Sequence, residues 1–172
     1  MNSSILTYLV PLISYPESDI YSNMENLNNQ LGNEKPHDLS LFQNHVKQTK
    51  LTKLQEEYTH SFDLNPATCM DLGWHLHGEN YERGMFMVHV REMLREFEIP
   101  ETSELPDHLT HILSMLPYLD EEDRNAFIKS NVIPAMGKII EGFGDTDNPY
   151  KHLIQFINDV LLHQTYSKEV HA

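Results

Sequence analysis

Apolar residues recur three and four positions apart along most of this chain, and no segment alternates apolar with polar residues long enough to predict a strand. Ile5, Leu6, Leu9, Leu12 and Ile13 share one face of a first helix, with Ser3 or Ser4 as its cap and Tyr15-Pro16 as its end. A second helix is predicted from Pro16 to the stop at Gly32, because Pro suits a first turn and Glu17 and Asp19 favour the positive helix end. From Asp38 the stripe Leu41, Phe42, Val46 continues through Leu51, Leu54, Tyr58 and Phe62, as one helix or as two. Asp63 to Pro66 breaks it. Asn65 as cap and Pro66 at the first position predict a further helix ending near Gly78.

The long segment Asn80 to Glu98 is the most regular, with Phe86, Val90, Met93, Leu94 and Phe97 on one side. A polar, Pro-bounded connector follows, after which Leu105, Leu109, Ile112, Leu113 and Leu116 mark a short helix opened by Pro106-Asp107. The acidic run Asp120 to Asp123 begins another, along which Ile128, Val132, Ala135, Met136, Ile139 and Phe143 line up and Pro134 should introduce a kink. After the GFGDTDNP loop, Leu153, Ile154, Ile157, Val160 and Leu161 mark a last helix, with a frayed tail from Ser167. The pattern predicts an all-α, single-domain helical bundle spanning residues 1–172.

Composition adds sign to this picture. With 172 residues, 40% of them hydrophobic, the chain can bury one core. Twelve Lys+Arg against 26 Asp+Glu give a net charge of -14, which makes nucleic acid and anionic bilayers poor partners and a basic peptide a better one. The single Cys, Cys69, excludes an internal disulfide and a Cys-rich zinc site and fits a reducing compartment, the cytoplasm by default. The apolar run Ile5 to Ile13 is too short to span a bilayer and has no preceding Lys or Arg, so it reads as a core helix first and a signal peptide second.

Candidate chemistry concentrates between Leu54 and Gly84, which holds the only Trp, the only Cys, His60, His75 and His77, and several carboxylates. His108 and His111 are three apart, but no HExxH or CxxC ligand motif accompanies them, so no metal is expected. No nucleophile elbow, Walker loop or Rossmann glycine pattern occurs, so neither an enzyme nor a bound cofactor is expected. Tyr58, Phe62, Trp74 and Tyr81 read as core residues or, beside so many carboxylates, as the walls of a negatively charged, ring-lined cleft for a basic, partly apolar segment. Gly84 inside a helix costs about 1 kcal/mol relative to Ala, which suggests close helix packing or a simple weak spot.

Tyr58, Phe62-Asp63-Leu64, His77-Gly78, Arg83-Gly84 and Glu104-Leu105-Pro106-Asp107-His108-Leu109, with Leu12 to Pro16 before them, resemble in order and spacing the NarJ-type chaperones, the nitrate reductase delta subunit group of the TorD/DmsD/NarJ superfamily. The resemblance runs from the first helix to about Leu116. It implies an all-helical fold without catalytic activity. It also implies a cytoplasmic chaperone that binds the catalytic subunit of a molybdoenzyme at a basic N-terminal leader or twin-arginine remnant, for cofactor insertion before docking or export. Carried over by position, the peptide-contacting or groove-forming residues are Tyr58, Phe62, Asp63, Trp74, His77, Arg83, Asp107 and His108. Asp107 and His108 have an alternative role, capping and bracing their helix. Gly78-Glu79 stands where many relatives have Gly-Asp, Trp74-His75 replaces a Tyr-rich stretch, and the long tail of larger relatives is missing, which leaves the client open between a nitrate reductase and another molybdoenzyme. A helical adaptor with no such client and a His-ligated metal protein are the competing classes.

Overall fold

Pro11 cuts the first helix short, because its ring offers no N–H to the ladder. In the computed structural model, which describes residues 5–34 and 36–166, α1 runs Ile5–Leu9 and tightens into a 3₁₀ turn at Val10–Leu12. The cap expected from Ser3 or Ser4 and the tail from Ser167 lie outside the described residues. α2 is Ile20–Leu31 and starts later than Pro16 predicts, since Pro16 to Asp19 form a non-helical lead-in in which the Ile20 N–H reaches the Glu17 carbonyl at 3.1 Å. Gly32 closes it at φ 63°, a left-handed conformation open to glycine without a Cβ clash. The next stripe is carried by two helices, α3 (His37–Gln48) and α4 (Leu51–Tyr58), parted by extended Thr49 and Lys50. α4 then widens into a π-turn at Thr59–Asp63.

Residues 66–78 do not form the single helix that Asn65-Pro66 predicts. Asn65 holds only a turn, its Oδ1 accepting from the Ala67 N–H and its carbonyl from the Thr68 N–H, both at 3.1 Å. Asp71 is extended and lies opposite His108 in an antiparallel bridge: the Leu72 N–H donates to the Asp107 carbonyl at 2.9 Å and the Leu109 N–H to the Met70 carbonyl at 2.8 Å. This pairing spans more than thirty residues of sequence, so no local signal announces it. It takes the backbone groups a longer helix would need, and α5 is left with Leu72–His77.

α6 is Tyr81–Glu96, and α7, Leu109–Met115, starts only after the bridge, with a 3₁₀ turn at Leu116–Tyr118 over Pro117. Asp120 caps α8 (Glu121–Phe127), its Oδ1 accepting from the Asp123 N–H at 2.9 Å. The expected Pro134 kink takes a specific form. A π-turn at Ile128–Val132, in which the Ile133 N–H reaches back to the Ile128 carbonyl, comes immediately before α9 (Ile133–Phe143) and makes room for the ring in the first turn. α10 is Pro149–Tyr166, opened by Asn148, whose Oδ1 accepts from the Tyr150 N–H at 2.9 Å.

The fold is all-helical. α10 buries Tyr150, Leu153, Ile154, Ile157 and Leu161 against α3 and α9, α1 packs on α2 and α7, and α5 is wedged between α6 and α9. The buried apolar side chains make one continuous core. Gly142 on α9 lets the Ala67 carbonyl approach the helix backbone more closely than any Cβ would allow. Gly84 does not have the packing role its position suggested: a Cβ there would meet nothing within 4 Å, so its cost to α6 has no compensation in a close contact.

Candidate functional site

Tyr58 ends α4 with its hydroxyl donating to the Ile13 carbonyl at 3.1 Å, and its ring meets Phe62, Tyr15 and Tyr150 edge-on at centroid distances of 5.0, 5.6 and 5.7 Å. Phe62 lies wholly inside, its ring also 5.3 Å from Tyr150 and 6.1 Å from Phe143. On the outer side of Tyr58 a cavity of about 460 Å³ opens, lined by Val10, Tyr15, Ile99, Pro100 and His108, with Glu104 in its wall. Burial, and then the negative charges of Asp63 and Glu104, hold the Tyr58 phenol well above its ordinary value. Both charges thus act on the Tyr58 ring; Glu104 also lines the cavity, whereas Asp63 is exposed and forms no part of the lining.

His108 caps α7. Its Nδ1 accepts from the Thr110 N–H at 3.3 Å and from the Thr110 hydroxyl at 2.8 Å, so the neutral ring carries its proton on Nε2. His111 takes the opposite tautomer: Nε2 accepts from the Thr102 N–H at 3.0 Å and Nδ1 donates to the Leu105 carbonyl at 2.9 Å, which pins the connector onto α7. With both nitrogens engaged, His111 cannot join His108 as a metal pair. Burial and the neighbouring His111 push the His108 pKa from 6.5 down to about 4. Between those values the unfolded chain binds the proton that the folded chain refuses, so His108 stabilises the fold above pH 6.5 and loses that contribution as pH falls toward about 4. Urea titrations across that window should show His108→Gln with a flatter pH dependence than the parent; parallel curves would place His108 outside the acid response.

The second constellation starts from α6. Arg83 donates through Nε to Asp107 Oδ2 at 3.1 Å and through Nη2 to Asp71 Oδ2 at 3.0 Å, and its guanidinium carbon lies 5.8 Å from the centre of the Trp74 ring. Burial opposes its charge, but the hydrogen bond and charge of Asp107, then those of Asp71, outweigh burial and hold the guanidinium above its ordinary value. Burial, and then the charge of Asp107, push the Asp71 carboxyl up despite Arg83. Gly73 makes the geometry possible, since a Cβ there would sit 2.6 Å from Asp107 Oδ2 and 3.2 Å from the Arg83 stem. Trp74 donates its indole N–H to the Pro66 carbonyl at 3.0 Å, and with His77 it lines an open groove against Lys138 and Gly142 on α9.

The residues expected to surround one cleft are thus divided. Tyr58 and His108 line the cavity, Trp74 and His77 line the groove on α5, and Arg83 and Asp107 form an ion pair beneath Trp74. Trp74, Asp63 and Asp107 share no concavity, because Arg83 draws Asp107 into the interior while Asp63 stays in solvent. Phe62 and Asp107, both buried, shape the surface from behind and cannot touch a partner as they stand. Sequence reasoning missed Tyr15, Glu104 as a charge at the cavity, and Asp71. The bridge Asp71↔His108 joins the cavity to the ion-pair cluster, and nothing in the local sequence signals it.

Cys69 and His75 are not a nucleophile and its base. His75 Nε2 donates to the Cys69 carbonyl at 2.7 Å, so it offers no lone pair to the thiol 3.6 Å away. Burial pushes the thiol up and the imidazole down, which leaves both neutral. Among the described residues no group of three or more His, Cys, Asp or Glu is placed to hold a metal ion, and no helix is long and apolar enough to cross a membrane.

A family model described as nitrate reductase delta subunit matches residues 22–163 of the chain. The chain is also similar to the nitrate reductase molybdenum cofactor assembly chaperone NarJ of Escherichia coli (strain K12), 28% identical over 119 residues that cover 65% of this chain and 50% of that one. The protein of the same description from Escherichia coli O157:H7 matches with the same figures. The chain spans about half the length, 50%, of these curated relatives.

Proposed function

The chain belongs to the nitrate reductase delta subunit family, and from that premise we propose that it is a chaperone for the catalytic subunit of a molybdenum-cofactor oxidoreductase, a respiratory nitrate reductase in the first instance. It assists cofactor insertion and assembly in the cytoplasm before the subunit docks at the membrane or is exported. The observation that carries this reading is the family match over residues 22–163, supported by relatives described as assembly chaperones. The family is one of chaperones and not of enzymes.

Under this reading the client's N-terminal leader, or the remnant of a twin-arginine segment, is held at the cavity beside Tyr58. Its apolar residues fill the space between Val10, Ile99 and Pro100, and its basic residues meet the field of Glu104 and Asp63. A leader is disordered when free, so apolar contacts and Arg–carboxylate pairs must offset the cost of ordering it. The resulting affinity is moderate, as suits a chaperone that has to release its client.

Coexpression with candidate catalytic subunits, followed by identification of the bound protein, should recover a molybdoenzyme subunit; persistent recovery of other proteins alone would reject the reading. The net charge of -14 adds a second test. Leader affinity measured by calorimetry should fall several-fold as salt rises from about 10 mM to about 1 M, over which the screening length shrinks from about 30 to about 3 Å. A salt-independent affinity would remove the electrostatic part of the mechanism.

A further inference from the structure

Arg83 sits in surroundings that would recognise any arginine. Two carboxylates, from Asp71 and Asp107, accept its N–H groups, and its guanidinium carbon lies over the Trp74 ring at cation–π distance. The occupancy is incomplete. Asp107 is fully buried, yet only its Oδ2 is met, by Arg83 Nε alone; Oδ1 has no hydrogen-bond partner. A side chain anchored on α6 approaches Asp107 side-on. A guanidinium not anchored on α6 reaches Asp107 only once Arg83 has left, and the two-bond, fork-to-fork arrangement that carboxylates favour would then use the oxygen that Arg83 leaves unmet.

We propose that Asp71, Asp107 and Trp74 form an arginine site that Arg83 occupies in cis, and that an arginine of a client leader displaces it. The identity of the occupant rests on the chaperone reading above; the site itself rests on the geometry. Arg83 and Asp71 are the exposed side of the cluster, with side-chain exposures of 18% and 25%, so displacement begins there. The site neighbours the cavity through the backbone, although the two share no concavity. Asp71 pairs across the bridge with His108 in the cavity wall, and the charge of Glu104 acts on both Tyr58 and Asp71. A leader whose apolar residues fill the cavity would thus present its arginines to this cluster. Because Arg83 is tethered, it competes at an effective concentration on the order of millimolar or higher. A lone arginine does not dislodge it, whereas a leader held elsewhere can. Arg83 thereby acts as a gate that admits arginine only in the context of the whole leader.

The test uses the full chain with Arg83→Met, which keeps the stem packed near Gly73, and Arg83→Lys, which keeps a charge beside the carboxylates should the first variant not fold. Trp74 is the only Trp, so its fluorescence reports occupancy. N-acetyl-arginine amide should give a saturable change in either variant, with N-acetyl-lysine amide at least about tenfold weaker, a difference of about 1.4 kcal/mol, and no saturation by either probe in the parent. A client leader should bind Arg83→Met about tenfold tighter than the parent, and replacing its arginines by lysine should abolish the gain. Equal responses to the two probes in both variants would overturn the site. Discrimination between probes with no leader binding to any chain would keep the site and overturn the client; leader binding to the parent without probe discrimination would do the reverse.

Discussion

Asp107→Ala should cost the fold about 3–5 kcal/mol, the range for breaking a buried ion pair by removing one partner. Asp107 is fully buried, its Oδ2 takes the Arg83 Nε–H, and Ala would leave a half-buried guanidinium with Asp71 alone. The retained Asp71 contact puts the expected loss at the lower end of that range. For a chain of this size about 3 kcal/mol lowers the Tm by about 6–12 °C, so urea unfolding and calorimetry should agree. Asp107→Asn keeps the volume and the acceptor oxygen and should recover part of the loss. A change within about 1 kcal/mol for the Ala variant would mean that Arg83 is satisfied without Asp107.

Phe62→Ala should cost a similar amount, about 3–5 kcal/mol for an aromatic truncated in a packed core. The ring is held by Tyr58, Phe143 and Tyr150 on three sides, all in edge-on arrangements that add to the apolar area buried. It has no route to a partner. Phe62→Leu fills much of the space and should recover a large share of the stability, with leader affinity unchanged once the protein is folded. If the Ala variant instead melts with the parent and loses leader binding, Phe62 is a contact residue and the core assignment is wrong.

These two residues show where reading the sequence succeeds and where it stops. Phe62 and Asp107 stand in the resemblance that identified the family, and both are central to the structure. Position in a motif does not say whether a side chain faces a partner or supports those that do. Burial answers that question, and burial depends on residues far away: Phe143 and Tyr150 for Phe62, Arg83 and Gly73 for Asp107. The helix expected from Pro66 failed for the same reason, since Met70 and Leu72 give their backbone groups to Asp107 and Leu109.

The sequence by itself determined the helical class, most helix boundaries and the family, because apolar spacing, glycine and proline stops, and motif order are properties of neighbouring residues. Gly32, Gly78 and Gly144 each close a helix with positive φ where a glycine stop stands in the sequence. Only the tertiary structure decided that the acidic and aromatic residues divide between a cavity, a groove and a buried ion pair. That division is set by long-range pairing, above all the Asp71↔His108 bridge and the Arg83 clamp, whose partners meet only once the helices pack and water leaves the space between them.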